Sequence, residues 1–159
     1  MAPSPTITHS SFTIERRYPA APERVFAAFA DPARKRRWFA EGEGRDVVDH
    51  QLDFRPGGSE LSRYRMGPGS PFPGVEIANH TTYLDIVTGR RIAFAYTMSM
   101  AGRRFSASLV TVEFDAAEGG GTVLVFTEQG AYFEGSDGPQ LREKGWQGLI
   151  GKLDAELAG

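Results

Sequence analysis

The residues best suited to acid–base chemistry in this sequence are two glutamates, Glu60 and Glu128. Side chains along a strand alternate between its two faces, so residues of one parity share a face. Glu128 has the parity of Leu124 and Phe126, and Glu60 alternates in the same way along its own predicted strand. A carboxyl group that faces an apolar cavity has a raised pKa, which suits a general acid or a partner for a ligand hydroxyl.

A structural role is the alternative for both glutamates. A buried carboxylate can be neutralised by a nearby arginine, and Arg65 and Arg142 are the candidates in this chain. The residue types alone leave both interpretations open.

The same parity argument gives a larger set of residues for a ligand-binding cavity. Most lie on a strand face that carries large apolar side chains, as His80 does with Leu84 and Ile86. The predicted ligand-binding residues are Trp38, Glu60, Tyr64, His80, Tyr96, Met98, Ser106, Ser108, Phe126, Glu128 and Trp146. Pockets are commonly apolar with a few polar groups that orient the ligand. The alternative places several of these side chains at strand ends, bonded to solvent or backbone, since a one-residue bulge inverts the parity.

Several other kinds of site lack the residues that they need. The chain has no cysteine, which excludes disulfides, thiolate catalysis and cysteine-ligated metal centres. Its three histidines, His9, His50 and His80, do not stand at metal-ligand spacing. There is no Gly-x-Ser-x-Gly elbow and no glycine-rich phosphate loop that opens a helix. The sequence therefore predicts no metal and no cofactor.

Length and charge limit the class of protein. The 159 residues suit one domain, which we place at residues 12–159 after a loosely ordered leader over residues 1–11. The net charge of −2 lacks the basic excess of nucleic-acid-binding proteins. No apolar run approaches the ~18 residues that a membrane span needs. We therefore expect a cytoplasmic protein without a nucleic-acid or membrane partner.

The elements that would position these residues follow from the periodicity of apolar side chains. Strands are predicted at 12–18, 46–54, 59–66, 75–87, 91–100, 105–114 and 122–129, with helices beginning at Pro22, over 33–39 and over 139–157. Short turns join the later strands, which forces antiparallel pairing. The fold class is therefore α+β, with a curved antiparallel sheet of about seven strands wrapped around the long C-terminal helix.

The C-terminal helix carries one apolar stripe and three glycines. The stripe consists of Trp146, Leu149, Ile150, Leu153 and Leu157, and the glycines are Gly145, Gly148 and Gly151. Each glycine costs roughly 1 kcal/mol relative to alanine inside a helix. Close approach to the sheet, free volume for a ligand, or simple tolerance in a well-packed helix would each account for them.

A basic cluster, Arg34 to Arg37, precedes Trp38 and Phe39 on the short second helix. We interpret it as a solvated helix face. The functional alternative is an entrance that attracts an anionic ligand group or an acidic partner surface.

Several phrases of the sequence are similar to those of a known superfamily. They are Ala20 to Pro32 with Trp38 after it, Phe54 to Gly58, Tyr83 to Val87 running into Arg91-Ile92, Gly120 to Thr122, and Gly145-Trp146 with Leu149 and Leu153. The chain resembles the START-like or Bet v-type superfamily from about Phe12 to Leu157, and within it the branch named after the activator of a heat-shock-protein ATPase. The resemblance implies a helix-grip fold with a cavity for a small ligand. Many relatives carry His before the Gly-Trp pair, where this chain has Lys144, so no proton-transfer role carries over to that position.

Three hypotheses of function follow. The leading one is a domain that binds a small, mostly apolar molecule in the cavity, with no reaction required. The second is a cyclase, dehydratase or hydrolase that uses Glu128 or Glu60 as acid or base and Tyr64 or Tyr96 as hydrogen-bond donor. The third is a module that contacts a chaperone, through Trp38, Phe39 and the basic cluster. A homodimer through an exposed strand edge stays open.

Overall fold

Seven strands and three helices account for most of the chain. A computed structural model describes residues 6–42 and 44–158. The elements in chain order are β1 (Thr8–Tyr18), α1 (Pro22–Ala30), α2 (Pro32–Lys35), one π-helical turn (Arg36–Ala40), β2 (Arg45–Leu52), β3 (Ser59–Met66), β4 (Glu76–Val87), β5 (Arg91–Met100), β6 (Arg103–Ala116), β7 (Thr122–Tyr132) and α3 (Pro139–Ala158). No helix within the described ranges is long and apolar enough to cross a membrane.

The strands form one antiparallel sheet in the order β1-β7-β6-β5-β4-β3-β2. Consecutive strands pair through short turns from β2 to β7, as the sequence predicts. The first strand lies at the opposite edge and pairs with β7. The segment from α1 to the π-helical turn therefore carries the chain from one edge of the sheet to the other. With α3 packed on the concave side, this arrangement is the helix-grip fold, and the predicted fold class is confirmed.

The first strand begins earlier than the sequence suggests. Thr8 pairs with Tyr132 and the pairing continues to Tyr18, so residues 8–11 of the predicted leader lie in the sheet. The backbone of β7 supplies hydrogen-bond partners there, although the Ser and Thr side chains give no apolar pattern. Residues 1–5 of that predicted leader lie outside the described residues.

The junction of α1 and α2 depends on one aspartate. Asp31 ends α1, and its carboxylate accepts hydrogen bonds from the backbone N–H groups of Ala33 and Arg34. A side chain that accepts these otherwise unpaired donors starts a new helix. The predicted helix over 33–39 is accordingly split into α2 and the π-helical turn, which together bring Trp38 and Phe39 under the sheet.

The core lies between the concave face of the sheet and α3. Trp146, Ile150 and Leu153 of α3 are at most 5% exposed. The Trp146 indole packs on Phe126 with ring centroids 4.5 Å apart. Most of the predicted helical stripe is thus buried, which holds the helix across the sheet.

A bulge in β4 changes which residues face the core. The register with β5 shifts between Tyr83 and Asp85. As a result, Tyr83 and the alternate residues before it face inward, whereas His80 and Leu84 are exposed. The prediction that His80 faces the cavity is therefore wrong, because it extended the parity of the residues after the bulge to those before it.

Candidate functional site

A cavity of about 160 Å³ lies between β3, β4 and β5 of the sheet and the first half of α3. One side is apolar, with Phe39, Met98, Trp146 and Leu149. The remaining lining residues are Arg45, Ser62, Tyr64, Asn79, Tyr96, Asp137, Leu141, Arg142 and Gly145. The cavity thus combines an apolar wall with a compact set of polar groups.

The predicted ligand-binding residues divide into five groups. Tyr64, Tyr96, Met98 and Trp146 line the cavity. Ser106, Ser108 and Glu128 lie in a buried polar network that contacts the cavity wall. Trp38 and Phe126 belong to the core, Glu60 belongs to a separate buried cluster, and His80 lies on the outer face.

Glu128 is the centre of the network behind the cavity wall. Its side chain is fully buried and accepts a hydrogen bond of 2.5 Å from the Tyr96 hydroxyl. Ser108 and Tyr132 each donate to its other oxygen at 3.2 Å. Arg142 lies 3.6 Å from the same oxygen, so the predicted neutralisation by this arginine is found. Glu128 itself does not line the cavity.

The hydroxyl of Tyr96 joins this network to the cavity. It donates to Glu128 and accepts hydrogen bonds of 3.0 Å from both Arg142 Nη1 and Trp146 Nε1. Burial and the neighbouring Glu128 carboxylate raise the pKa of Tyr96. The phenol therefore keeps its proton and fixes the positions of the two side chains beside it.

Arg142 enters the network from the first turns of α3. Its guanidinium donates two hydrogen bonds of 2.9 Å to Asp137 and one of 2.8 Å to Ser106. It is 5% exposed. Its charge is thus shared between Asp137 at the cavity mouth and Glu128 in the interior.

Tyr132 reaches Glu128 because the residue between them on this face is a glycine. An added Cβ at Gly130 would lie 2.8 Å from the Tyr132 hydroxyl and 2.9 Å from two of its ring carbons. The ring therefore lies along β7 in the space that a side chain at position 130 would fill. Gly130 is a close-approach position that sequence inspection did not single out.

A second buried cluster surrounds Glu60. Its Oε1 accepts a hydrogen bond of 2.9 Å from Lys35 and one of 2.7 Å from the Tyr83 hydroxyl. Its Oε2 lies 2.8 Å from His50 Nε2. The Lys35 ammonium also stands 4.5 Å from the ring centroid of Phe39. This cluster joins α2 to the sheet edge at β2 and β3, next to the cavity wall formed by Phe39.

The environment of Glu60 reverses the predicted direction of its pKa. Burial raises the pKa of this carboxyl, but the Lys35 charge and the hydrogen bonds from His50, Lys35 and Tyr83 outweigh it and lower the pKa to about 2. The partners differ from the predicted arginine, since Arg65 is exposed. Glu60 is therefore a charged structural group and not a protonated acid.

The predicted solvated face of the basic cluster is wrong at one position. Lys35 is 4% exposed and pairs with Glu60, whereas Arg36 and Arg37 form outer ion pairs with Glu41 and Glu156. The neighbouring aromatic residues are buried too, with Trp38 1% and Phe39 6% exposed.

The glycines of α3 leave open space. An added Cβ at Gly145 or Gly148 would meet no atom within 4 Å, and at Gly151 the nearest is an Arg16 nitrogen at 3.8 Å. Close approach to the sheet is therefore not their role. Gly145 lines the cavity mouth, which fits free volume beside the helix.

Ser62, Asn79 and Arg45 line the cavity but were not predicted from the sequence. Asn79 shares the parity of Ile77 and Tyr83, so a parity count from the start of β4 would have found it. Ser62 has the parity of Glu60 and Tyr64, so the same count along β3 would have found it. Arg45 begins β2 after a glycine-containing turn, and no pattern marks it. Across the described ranges, no group of three or more His, Asp or Glu side chains could hold a metal ion.

A curved antiparallel sheet closed by a long helix, with a small cavity between them, defines a helix-grip protein of the START-like type. The sequence profile of the family described as Activator of Hsp90 ATPase homolog 1-like protein matches residues 19–158. The chain belongs to this family, and the predicted resemblance is confirmed.

Solved structures of bacterial proteins are similar along nearly the whole chain. The Mll3558 protein from Rhizobium loti is 46% identical, with 94% of this chain and 98% of that one covered and a TM-score of 0.83. A putative uncharacterized protein from Rhizobium leguminosarum is 38% identical, with 96% of each chain covered and a TM-score of 0.87. The AHSA1-like protein from Aeromonas hydrophila is 23% identical, covers 94% and 92%, and has a TM-score of 0.68, so it shows the fold alone. Comparison with curated protein sequences gives no match.

Proposed function

We propose that this protein binds a small, mostly apolar molecule in the cavity between the sheet and α3. The observation that supports this best is the apolar wall of Phe39, Met98, Trp146 and Leu149 around an open volume of about 160 Å³. Close-packed interiors leave few voids larger than a water molecule. An apolar cavity of roughly 150 Å³ is large enough to hold a benzene ring. The proposed ligand is therefore about the size of one aromatic ring with a short substituent.

The enzyme hypothesis has less support from this geometry. Neither Glu60 nor Glu128 lines the cavity, and both oxygens of each lie within hydrogen-bond distance of neighbouring side chains. Asp137 does line it, but its carboxylate is held by Arg142. A general acid or base must reach the proton that it moves.

The chaperone hypothesis has the family description as its support. The apolar part of the surface that the sequence offered for it is buried, because Trp38 and Phe39 pack in the core, and only the arginines of the basic cluster lie on the surface. We therefore rank a chaperone partner below a small ligand.

The proposal is tested by native and denaturing mass spectrometry of protein purified gently from its own host. We expect an added mass that is lost on denaturation. A Gly145→Leu variant, whose side chain fills the cavity mouth, should lose this added mass, whereas Gly148→Leu, on the same helix but outside the cavity lining, should retain it. If wild type and both variants all lacked an added mass, or all kept the same one, the cavity would not be the binding site.

A further inference from the structure

The polar side of the cavity contains hydrogen-bond donors without partners. Ser62 and Asn79 are directly opposite one another in the register of β3 and β4, so their side chains lie close together on one face. They are 3% and 8% exposed, and both line the cavity. Asn79 Oδ1 accepts a hydrogen bond of 3.2 Å from Thr81. The Asn79 amide nitrogen and the Ser62 hydroxyl have no hydrogen-bond partner among the described residues. Both donors are thus available to a molecule in the cavity.

The same wall carries a cationic hydrogen-bond donor, the guanidinium of Arg45. Arg45 donates to the Phe39 carbonyl at 3.1 Å, and its guanidinium stands 4.7 Å from the Tyr64 ring centroid. Within residues 6–42 and 44–158 it forms no ion pair. Arg142, by contrast, is paired with Asp137. Arg45 is therefore the cation of the cavity lining that has no ion-pair partner among the described residues.

A second cation, Lys152, lies beside the cavity and adds to the positive charge of Arg45. Lys152 lies in the groove that adjoins the cavity mouth, together with Arg45 and Leu149. Burial and the Arg45 charge lower the pKa of Lys152. Its ammonium donates to the Glu41 backbone carbonyl, and the charge of the Glu41 carboxylate acts on the pKa of Lys152 in the opposite direction.

We infer that the ligand is a small apolar carboxylate, whose carboxylate group binds Arg45, Ser62 and Asn79 while its apolar body packs on Trp146. The inference rests on the proposed function and names the class of ligand. All three side chains offer donors, and a carboxylate is an acceptor with two oxygens that can serve several donors at once. Hydrogen bonds between ionised groups are roughly twice as strong as neutral ones. An amide or a hydrocarbon of the same shape should bind more weakly, because it forms fewer or weaker hydrogen bonds with these donors.

Two tryptophans make the test specific. Trp146 lines the cavity and its Nε1 donates to Tyr96, whereas Trp38 is buried elsewhere and its Nε1 donates to the Ala28 carbonyl. The chain has no other tryptophan. In ¹⁵N-labelled protein the indole signal of Trp146 therefore reports binding in the cavity, and that of Trp38 serves as the internal reference. The probes are benzoate, benzamide and toluene, which share one ring and differ in charge and polarity.

We expect benzoate to shift the Trp146 indole signal, to leave that of Trp38 in place, and to bind roughly tenfold more tightly than benzamide. Arg45→Gln should weaken benzoate by roughly tenfold and leave toluene unchanged, since a hydrocarbon makes no charged contact. The matched control is Arg17→Gln, which makes the same change of charge at an exposed residue of β1, at the opposite edge of the sheet. This variant should bind both probes as the wild type does.

Equal affinity for benzoate and benzamide in the wild type would overturn the carboxylate inference, as would an Arg45→Gln variant that binds benzoate normally. If toluene bound and benzoate did not, the cavity would be a binding site for neutral molecules, and the proposed function would stand without this inference. If none of the three probes moved the Trp146 signal, the proposed function itself would fail.

Discussion

The ammonium of Lys35 lies 2.9 Å from Oε1 of Glu60, and the two side chains are only 5% and 2% exposed. This ion pair joins the short helix α2 to strand β3, twenty-five residues further along the chain. Tyr83 and His50 complete the coordination of the carboxylate. Phe39, which forms part of the cavity wall, packs against the same ammonium, so the pair also positions one wall of the cavity.

Removal of the cation should be costly. We expect Lys35→Met to lower the free energy of unfolding by about 3 kcal/mol or more, because Glu60 keeps a buried charge without its partner. The double variant Lys35→Met, Glu60→Gln should lose less than Lys35→Met alone, since glutamine carries no charge. Urea denaturation of the wild type, both single variants and the double variant measures this.

The matched control is Arg36→Met, which removes a neighbouring cation from an exposed pair with Glu41. Exposed pairs contribute only ~0–1 kcal/mol, so this variant should be close to the wild type. Costs that simply add in the Lys35, Glu60 double variant would show that the pair is not coupled.

Stability should depend on pH through Glu60. The pKa of this carboxyl is about 2 in the folded protein, against an ordinary value of 4.5. A depressed pKa means that the unfolded chain binds the proton more readily, so the stabilisation is present above pH ~4.5 and is lost as the pH falls toward ~2. The shift corresponds to about 3 kcal/mol. We therefore expect the difference in unfolding free energy between wild type and Glu60→Gln to shrink steadily as the solution is acidified through this range. A difference that stayed constant would mean that Glu60 is not charged in the folded state.

The hydroxyl of Tyr96 is a shared partner of Glu128, Arg142 and Trp146. Tyr96→Phe leaves three buried groups each without one hydrogen bond, so we expect a loss of roughly 3 kcal/mol in the free energy of unfolding. The ¹⁵N indole signal of Trp146 should also move, while that of Trp38 stays. Tyr64→Phe is the control at the same cavity, because the Tyr64 hydroxyl has no hydrogen bond among the described residues, and its loss should be within ~0.5 kcal/mol. Equal costs for the two variants would refute the network.

Two glycine-to-alanine substitutions should change the free energy of unfolding in opposite directions. Gly130→Ala forces the Tyr132 ring away from its position over β7, and we expect a loss of about 1–3 kcal/mol. Gly145→Ala meets nothing within 4 Å inside a helix, and we expect a gain of about 1 kcal/mol. Thermal or urea denaturation compares them directly. In a Tyr132→Ala background the cost of Gly130→Ala should disappear, and a cost that persisted there would exclude the clash as its cause.

Local pattern was enough to place most elements. The bounds predicted for the strands at residues 59–66 and 91–100 are those that the structure has, because both strands are bounded by Gly-containing turns and alternate without interruption. The long helix also lies where the apolar stripe placed it, one residue longer at its C-terminal end. By contrast, β1 begins four residues before its predicted start, since pairing with β7 holds residues that have no apolar alternation.

The candidate site was predicted less well, and His80 and Lys35 show why. His80 was placed in the cavity by a parity count that the bulge after Tyr83 inverts. Lys35 was read as part of a solvated cluster, because nothing near it in the sequence shows that Glu60 lies above it in the fold. Tyr96 and Trp146, fifty positions apart, were each predicted from the pattern of their own strand or helix. The hydrogen bond between them could not be predicted in that way.

The sequence by itself determined the fold class, the antiparallel order of the later strands and the apolar face of the C-terminal helix. These depend on alternation, turn residues and helical spacing, which act over a few neighbouring residues. Only the tertiary structure decided the partners of Glu60 and Glu128, the burial of Lys35, and the cavity that Arg45, Ser62 and Asn79 line. Such contacts join residues far apart in the chain, and a single bulge or helix position determines whether their side chains face one another.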